Sequence, residues 1–207
     1  MPRKDARRRY TFDQFTAIRR YQPTLTFSPD GSAIAWCLNE DGYSRLFARD
    51  DRTGRPIDLP AIPNGVVQLL KVSADGRRIG LMLNRATHPA EIYVVDVPAQ
   101  TVAQITDGFL GGIDEGDLIE PELVRFPTFD GKQIPAFLYR PRGDGPFPAI
   151  LSIHGGPESQ ERPTYNYGGL YQYLLRRGIA ILATNIRGST GYGKSYQKLI
   201  HRDFGGD

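Results

Sequence analysis

The sequence predicts a mixed chain in which repeated β units come first and an α/β segment follows. Three observations carry that expectation: a self-match at a shift of 45 to 46 residues, a change of pattern after Thr106, and two short apolar runs separated by a helix-like stretch. Composition agrees. Hydrophobic residues are 40%, charged 24% and aromatic 11% of 207, a profile that excludes disorder, collagen and coiled coil. The 23 glycines and 16 prolines point to many turns and short strands.

The repeat begins at Ser28-Pro29-Asp30-Gly31, which recurs as Ser73-Ala74-Asp75-Gly76. At that shift Ile34 matches Ile79, Leu38 matches Leu83 and Asn39 matches Asn84; Leu46-Phe47 and Asp50 then match Ile92-Tyr93 and Asp96 one residue later. Each unit reads as four strands, with Asp-Gly supplying the positive backbone angles of a tight hairpin. In the second unit the strands are expected near 66–72, 77–83, 90–96 and 101–106. A four-stranded unit at this period is the signature of a β-propeller blade. Two blades leave open edges and apolar faces, so self-association is expected.

After Thr106, residues 107–121 read as a linker with five carboxylates and four glycines. Glu120 and Glu122 could pair as acid and base, but a solvated linker is the simpler reading. A hairpin is expected from Glu122 through Phe129-Asp130-Gly131 to Tyr139, then a short, wholly buried strand at Ala149–Ile153. Asn166–Arg177 has Leu170, Tyr173, Leu174 and Arg177 at helical spacing, with Gly178 as its stop. Ile179–Asn185 reads as a second buried strand and Lys194–Phe204 as a helix. Alternating buried strands and helices argue for an α/β domain with parallel pairing. The expected organisation is a basic tail at 1–20, two blade-like units at 21–106, a linker at 107–121 and the α/β part at 122–207.

The net charge of +3 is a property of the tail. Residues 1–20 hold seven basic against two acidic side chains, which leaves 19 basic and 21 acidic groups for the rest. No nucleic-acid partner is therefore expected. No apolar run reaches the ~20 residues of a membrane span, and no apolar stretch follows the basic N-terminus as in a secretory signal. The single Cys37 excludes a disulfide framework and a cysteine zinc site, and suits a reducing cytoplasm. His88 and His201 lack the spacing of a helical metal pair and are expected at the surface or in caps. Tyr165, Tyr167, Tyr171 and Tyr173 read as helix packing rather than a recognition stripe.

Two constellations carry chemistry. The strand 149–153 runs into His154-Gly155-Gly156-Pro157, where glycines let backbone N–H groups turn toward one point and hold an oxyanion. An HGG turn after a buried strand is the oxyanion element of α/β-hydrolases. His154 itself reads as a hydrogen-bonded packing residue rather than a general base. The second constellation, Asn185-Ile-Arg-Gly-Ser-Thr-Gly-Tyr-Gly-Lys-Ser195, contains a literal P-loop from Gly188 to Ser195. Only 12 residues follow it here, too few for a strand bearing an acidic magnesium ligand, so nucleotide binding is the weaker reading.

Together these residues resemble the prolyl oligopeptidase family of serine peptidases, nearer its acylaminoacyl-peptidase and dipeptidyl-peptidase branches. Ser28–Gly31 and Ser73–Gly76 resemble the blade turns, and Glu120-Pro-Glu-Leu-Val-Arg-Phe the entry into the catalytic domain. His154-Gly-Gly-Pro resembles the oxyanion turn, and Asn185-Ile-Arg-Gly-Ser-Thr-Gly-Tyr-Gly a loop after the next strand. The resemblance implies a partial β-propeller followed by the N-terminal part of an α/β-hydrolase domain. It implies hydrolysis of short peptides through an acyl-enzyme, with no metal or organic cofactor. It carries His154, Gly155 and Gly156 over as the oxyanion hole, and Arg187 and Tyr192 as substrate-binding residues of the loop, with Arg187 alternatively its pin.

The departures are as informative. No Gly-x-Ser-x-Gly elbow occurs: Ser189 has Arg187 two residues before it, and Ser195 has Gln197 two residues after it. The family places its elbow beyond Phe204-Gly205-Gly206-Asp207, with its Asp and His later still, and middle blades are missing between residues 60 and 66. The expectation is an incomplete member without turnover of its own, completed by self-association or by a complementing chain. A non-catalytic remnant or binding module of the same scaffold is the competing reading.

Overall fold

Asp-Gly turns organise the first two sheets. The computed structural model describes residues 25–156 and 158–201, so the basic tail at 1–20 and the end of the helix foreseen to Phe204 lie outside the described residues. Strands β1 (Leu25–Phe27), β2 (Ala33–Glu40), β3 (Tyr43–Asp50) and β4 (Pro56–Ile57) form one meander. Strands β5 (Val66–Val72), β6 (Arg78–Asn84), β7 (Glu91–Asp96) and β8 (Thr101–Gln104) form the next. All their pairings are antiparallel, as the repeat requires.

The repeated turns share one chemistry. Ser28 Oγ donates to Asp30 Oδ1 at 2.7 Å, and Ser73 Oγ donates to Asp75 Oδ1 at 2.6 Å. Gly31 and Gly76 take φ of +67° and +69°, which lets each glycine N–H return to its serine carbonyl. The hairpin after residue 127 is a third case: Thr128 Oγ1 donates to Asp130, and Gly131 sits at φ +76°. The shared signal is Ser/Thr-x-Asp-Gly.

These turns set a pH dependence. The Ser28 hydroxyl, then that of Ser32, holds Asp30 well below the usual carboxylate range. The Ser73 hydroxyl does the same for Asp75, and the Lys132 ammonium, with Thr128 and Arg187, for Asp130. A carboxylate depressed in the fold contributes stability that is complete above its unfolded value of about 3.9 and is lost as pH falls through its folded value. Urea midpoints should therefore be level just above that value and fall steadily below it, and Asp75→Asn should flatten the slope.

Side chains alternate across the strands. Ala35, Cys37 and Ala48 of the first meander face Leu70, Val72, Ile79, Leu81, Leu83, Tyr93 and Val95 of the second, in one buried core. On the opposite face of the first meander Trp36 stacks on Phe47 at 5.9 Å, and Phe27 and Phe47 are exposed. Two four-stranded meanders that share one core are consistent with neighbouring propeller blades.

The third sheet has the order β11-β12-β10-β9, built from β9 (Glu122–Pro127), β10 (Gln133–Tyr139), β11 (Ala149–Ile153) and β12 (Ala180–Thr184). Only β11 and β12 pair in parallel; β9, β10 and β12 pair antiparallel. Helix α1 (Leu170–Arg176) lies on the crossover between β11 and β12 and buries Tyr171 and Leu175 against Phe137, Tyr139, Ile181 and Ala183. The helix foreseen from Asn166 starts later because Gly168 and Gly169 take φ of +62° and +88°, outside α-helix; residues Asn166–Gly169 form a 3-10 turn instead.

Other expectations are corrected as well. Strand β11 is real but not buried: it is the sheet's edge, with Ile150, Leu151 and Ile153 at 42, 58 and 55% exposure. Apolar content marks the strand, whereas burial depends on a flanking element that the described residues do not contain. Segment 107–121 is exposed along most of its length, and its last residues are fastened to the fold. The Gln172 amide accepts the Ile119 N–H and donates to the carbonyls of Ile119 and Ala86. Glu120 is bound by Arg85 and Thr87 at 3.1 Å each, which explains it as a strap rather than an acid or base. The last helix is reduced to α2 (Lys194–Gln197) and a 3-10 turn at Lys198–Ile200. His88 contacts Thr87 and Glu115, and His201 contacts Glu158, both local ties. Among the described residues no helix is long and apolar enough to cross a membrane, and no group of His, Cys, Asp or Glu could hold a metal ion.

Candidate functional site

Parallel pairing decides where the two motifs meet. Ile153 is paired with Thr184, so the loops that leave β11 and β12 emerge side by side at the strands' C-terminal ends, the usual ligand-facing end of such a sheet. His154 Nε2 lies 2.8 Å from Ser189 Oγ. Ser189 is fully buried, and its hydroxyl donates to the Ile186 carbonyl at 2.6 Å. A hydroxyl has one hydrogen. The imidazole must therefore donate to Ser189, the reverse of a nucleophile activated by a base. His154 is a tether, and Ser189 is its post.

The tether fixes the start of the glycine turn. Gly156 takes φ +64°, and a side chain added at Gly155 or Gly156 would meet no atom within 4 Å. The turn thus faces open space, with its backbone exposed. Ser152, on β11, turns its hydroxyl to Tyr171 at 2.7 Å.

The opposing loop is built on Asn185, which is fully buried. Its Oδ1 accepts the Glu161 N–H at 2.8 Å, and its Nδ2 donates to the Glu161 carbonyl and the Tyr192 hydroxyl at 3.1 and 3.0 Å. The Tyr192 oxygen is therefore turned inward, and burial raises its pKa. Tyr196 donates to the Asn185 carbonyl, its ring tilted against Tyr192 at 5.5 Å; burial pushes its pKa up to about 12. Arg187 reaches Thr128 and Asp130 and lies 4.8 Å over the Phe129 ring, so it joins this loop to the third Asp-Gly turn. The structure brings His154 together with the 185–192 loop, and holds Arg187 and Tyr192 in contacts with the protein itself.

The P-loop spacing does not produce a phosphate cradle. The N–H groups of Gly188, Ser189 and Thr190 are bonded to the carbonyls of Tyr196, Ile186 and Ser159. A Cβ at Gly188 would stand 2.5 Å from Ile200, and one at Gly191 would stand 2.5 Å from Gln160. These glycines allow close packing within the chain, and the helix that follows has only four residues.

Sequence reasoning missed the segment after the glycine turn. Glu161, Arg162 and Pro163 are buried. Charged residues in a polar run read as solvated, and no spacing distinguished these.

No family model matches the chain. Sequence relatives do: an uncharacterized peptidase of Bacillus subtilis is 29% identical over 143 residues, covering 68% of this chain and 21% of that protein. Dipeptidyl aminopeptidase BIII of Pseudoxanthomonas mexicana is 30% identical over 157 residues, covering 72% and 22%. The chain spans about a fifth of the length of these curated relatives. Among solved structures, a puromycin-hydrolyzing peptidase of Mycobacterium tuberculosis superposes with a TM-score of 0.71 at 24% identity, over 88% of this chain and 28% of that one. An acylaminoacyl peptidase of Pyrococcus horikoshii superposes at 0.66 and 22% identity, over the same shares. By sequence and by fold, the chain belongs with the prolyl oligopeptidase family of serine peptidases, in its acylaminoacyl-peptidase and dipeptidyl-peptidase branches, and corresponds to a part of those longer proteins.

Proposed function

We propose that this chain carries the oxyanion half of a serine-peptidase site that hydrolyses short peptides through an acyl-enzyme. In this reading residues 21–106 are two blades of a β-propeller, 107–121 a linker, and 122–207 the first part of an α/β-hydrolase domain. The observation that carries it is the tethered turn: His154 donating to buried Ser189 leaves Gly155 and Gly156 open at the end of a parallel strand. Their backbone N–H groups are the donors toward a developing oxyanion, and a single such donor is worth about 10²–10³ in rate. Arg187 and Tyr192 shape the loop beside the turn and act on substrate through its surface. The nucleophile comes from outside these residues, since Ser189 is buried as an acceptor and Ser152 is bonded to Tyr171. Cys37, the single thiol, is buried between the blades and suits a reducing compartment such as the cytoplasm.

Chromogenic dipeptidyl and acylaminoacyl amides incubated with these 207 residues should give no product above the uncatalysed rate. Turnover abolished by Ser189→Ala would identify that serine as the nucleophile. Turnover that survives the substitution would place one elsewhere in the chain. Either result overturns the assignment.

A further inference from the structure

The segment that follows the glycine turn is fastened to the blades. Arg162 is buried, its Nε donates to the Gly42 carbonyl at 2.8 Å, and its Nη2 donates to Ser44 Oγ at 3.3 Å. Gly42 and Ser44 belong to the β2–β3 hairpin of the first blade. Ser44 Oγ in turn accepts the Val67 N–H of the second blade at 3.0 Å. Beside it, Asn39 of the same hairpin donates to Gln160 Oε1 at 2.5 Å while accepting the Gly42 N–H. Three residues of the hairpin thus grip residues 160 and 162 from across the fold.

The same segment is bonded to the loop that holds His154. Ser159 accepts the Thr190 N–H at 2.7 Å, and Glu161 exchanges both backbone groups with Asn185. Ser189, next to Thr190, accepts from His154. The contacts therefore run without a gap from Gly42 through Arg162, Glu161 and the 185–190 loop to the imidazole. Burial draws the guanidinium down to about 10, leaving it charged at neutral pH. A buried charge is a poor way to fill space, because an apolar side chain of similar volume is often no less stabilising. Its use here is directional: a rigid fork that fixes two acceptors on one hairpin.

We propose that Arg162 is a positioning residue of the glycine turn, clamping segment 158–163 to the first blade so that blade contact sets the orientation of His154 and the turn behind it. The inference deepens the peptidase reading and rests on it for its catalytic meaning. The clamp itself does not depend on catalysis.

The test uses NMR on the whole chain. It reads the exchange rates of the Glu161 and Thr190 amides and the His154 Nε2–H resonance, which the bond to Ser189 protects. In Arg162→Ala both amides should exchange about tenfold faster or more, as loss of a charge-assisted hydrogen bond gives, and the Nε2–H signal should broaden or vanish. Amides of the β6–β7 ladder should be unchanged. Arg162→Lys, which keeps a donor for Gly42, should restore part of the protection and the imidazole signal. Asn39→Ala, made entirely on the blade, should raise Glu161 exchange in the same direction, and it decides the matter if Arg162→Ala does not fold. An unchanged His154 signal in folded Arg162→Ala, or an unchanged Glu161 amide in Asn39→Ala, overturns the proposal. Neither readout needs turnover, so loss of the clamp leaves the oxyanion assignment standing, and failure of that assignment leaves the clamp.

Discussion

Gly42→Ala should destabilise the chain by about 2–5 kcal/mol, the sum of a backbone term and a packing term. Asp41 and Gly42 form the two-residue turn between β2 and β3, at φ of +49° and +88°. Positive angles at both positions are what a hairpin of this length demands. An alanine held there costs roughly 1–2 kcal/mol. Its Cβ would also stand 2.7 Å from Cζ of Phe137 and 3.3 Å from Cδ of Pro163. Phe137 is fully buried, with the Tyr43 ring edge-on at 5.8 Å, so it has nowhere to retreat. Overpacking of this kind adds about 1–3 kcal/mol. Gly31→Ala is the control, since Gly31 shares the positive φ but has no atom near its missing Cβ. Urea denaturation of both variants separates the terms, and equal losses would show that the hairpin does not press on the sheet.

Asn185→Ala should cost a comparable amount, about 2–6 kcal/mol, through hydrogen bonds rather than sterics. The amide satisfies both backbone groups of buried Glu161 and meets the Tyr192 hydroxyl. Removal leaves a donor and an acceptor buried without partners, each worth roughly 1–3 kcal/mol. Asn185→Asp should lose at least as much at neutral pH. It can still accept the Glu161 N–H, but a carboxylate at this fully buried position cannot donate to the Glu161 carbonyl and carries a buried charge with no cation among its partners. Thermal unfolding should place both variants below wild type. An alanine variant as stable as wild type would show that the loop does not depend on this residue.

The two meanders were legible because their signal is local. Ser/Thr-x-Asp-Gly fixes a turn by a hydroxyl, a carboxylate and one positive φ, all within four residues, and alternation does the rest. The β11–β12 pair and the glycine turn were legible for the same reason. What the sequence hid is long-range. Ile150, Leu151 and Ile153 look like a core strand, yet exposure is decided by neighbours, not by composition. Ser189 lies 35 residues from its imidazole, and Arg162 lies 120 from Gly42, distances at which a single sequence offers no periodicity to follow. The literal P-loop shows the opposite error: Gly188 and Gly191 serve close packing against Ile200 and Gln160 instead.

Labelling with a fluorophosphonate, followed by mass-spectrometric localisation, tests the central claim most directly, because the reagent marks a serine only when a base has activated it. The folded 207-residue chain should remain unlabelled at Ser152, Ser189 and Ser195. A longer polypeptide that continues this sequence into a Gly-x-Ser-x-Gly elbow should be labelled at the elbow serine alone. Stoichiometric labelling of Ser189 in the short chain would contradict the account, since it would mean that the His154 pair is a catalytic dyad and not the tether of an oxyanion turn.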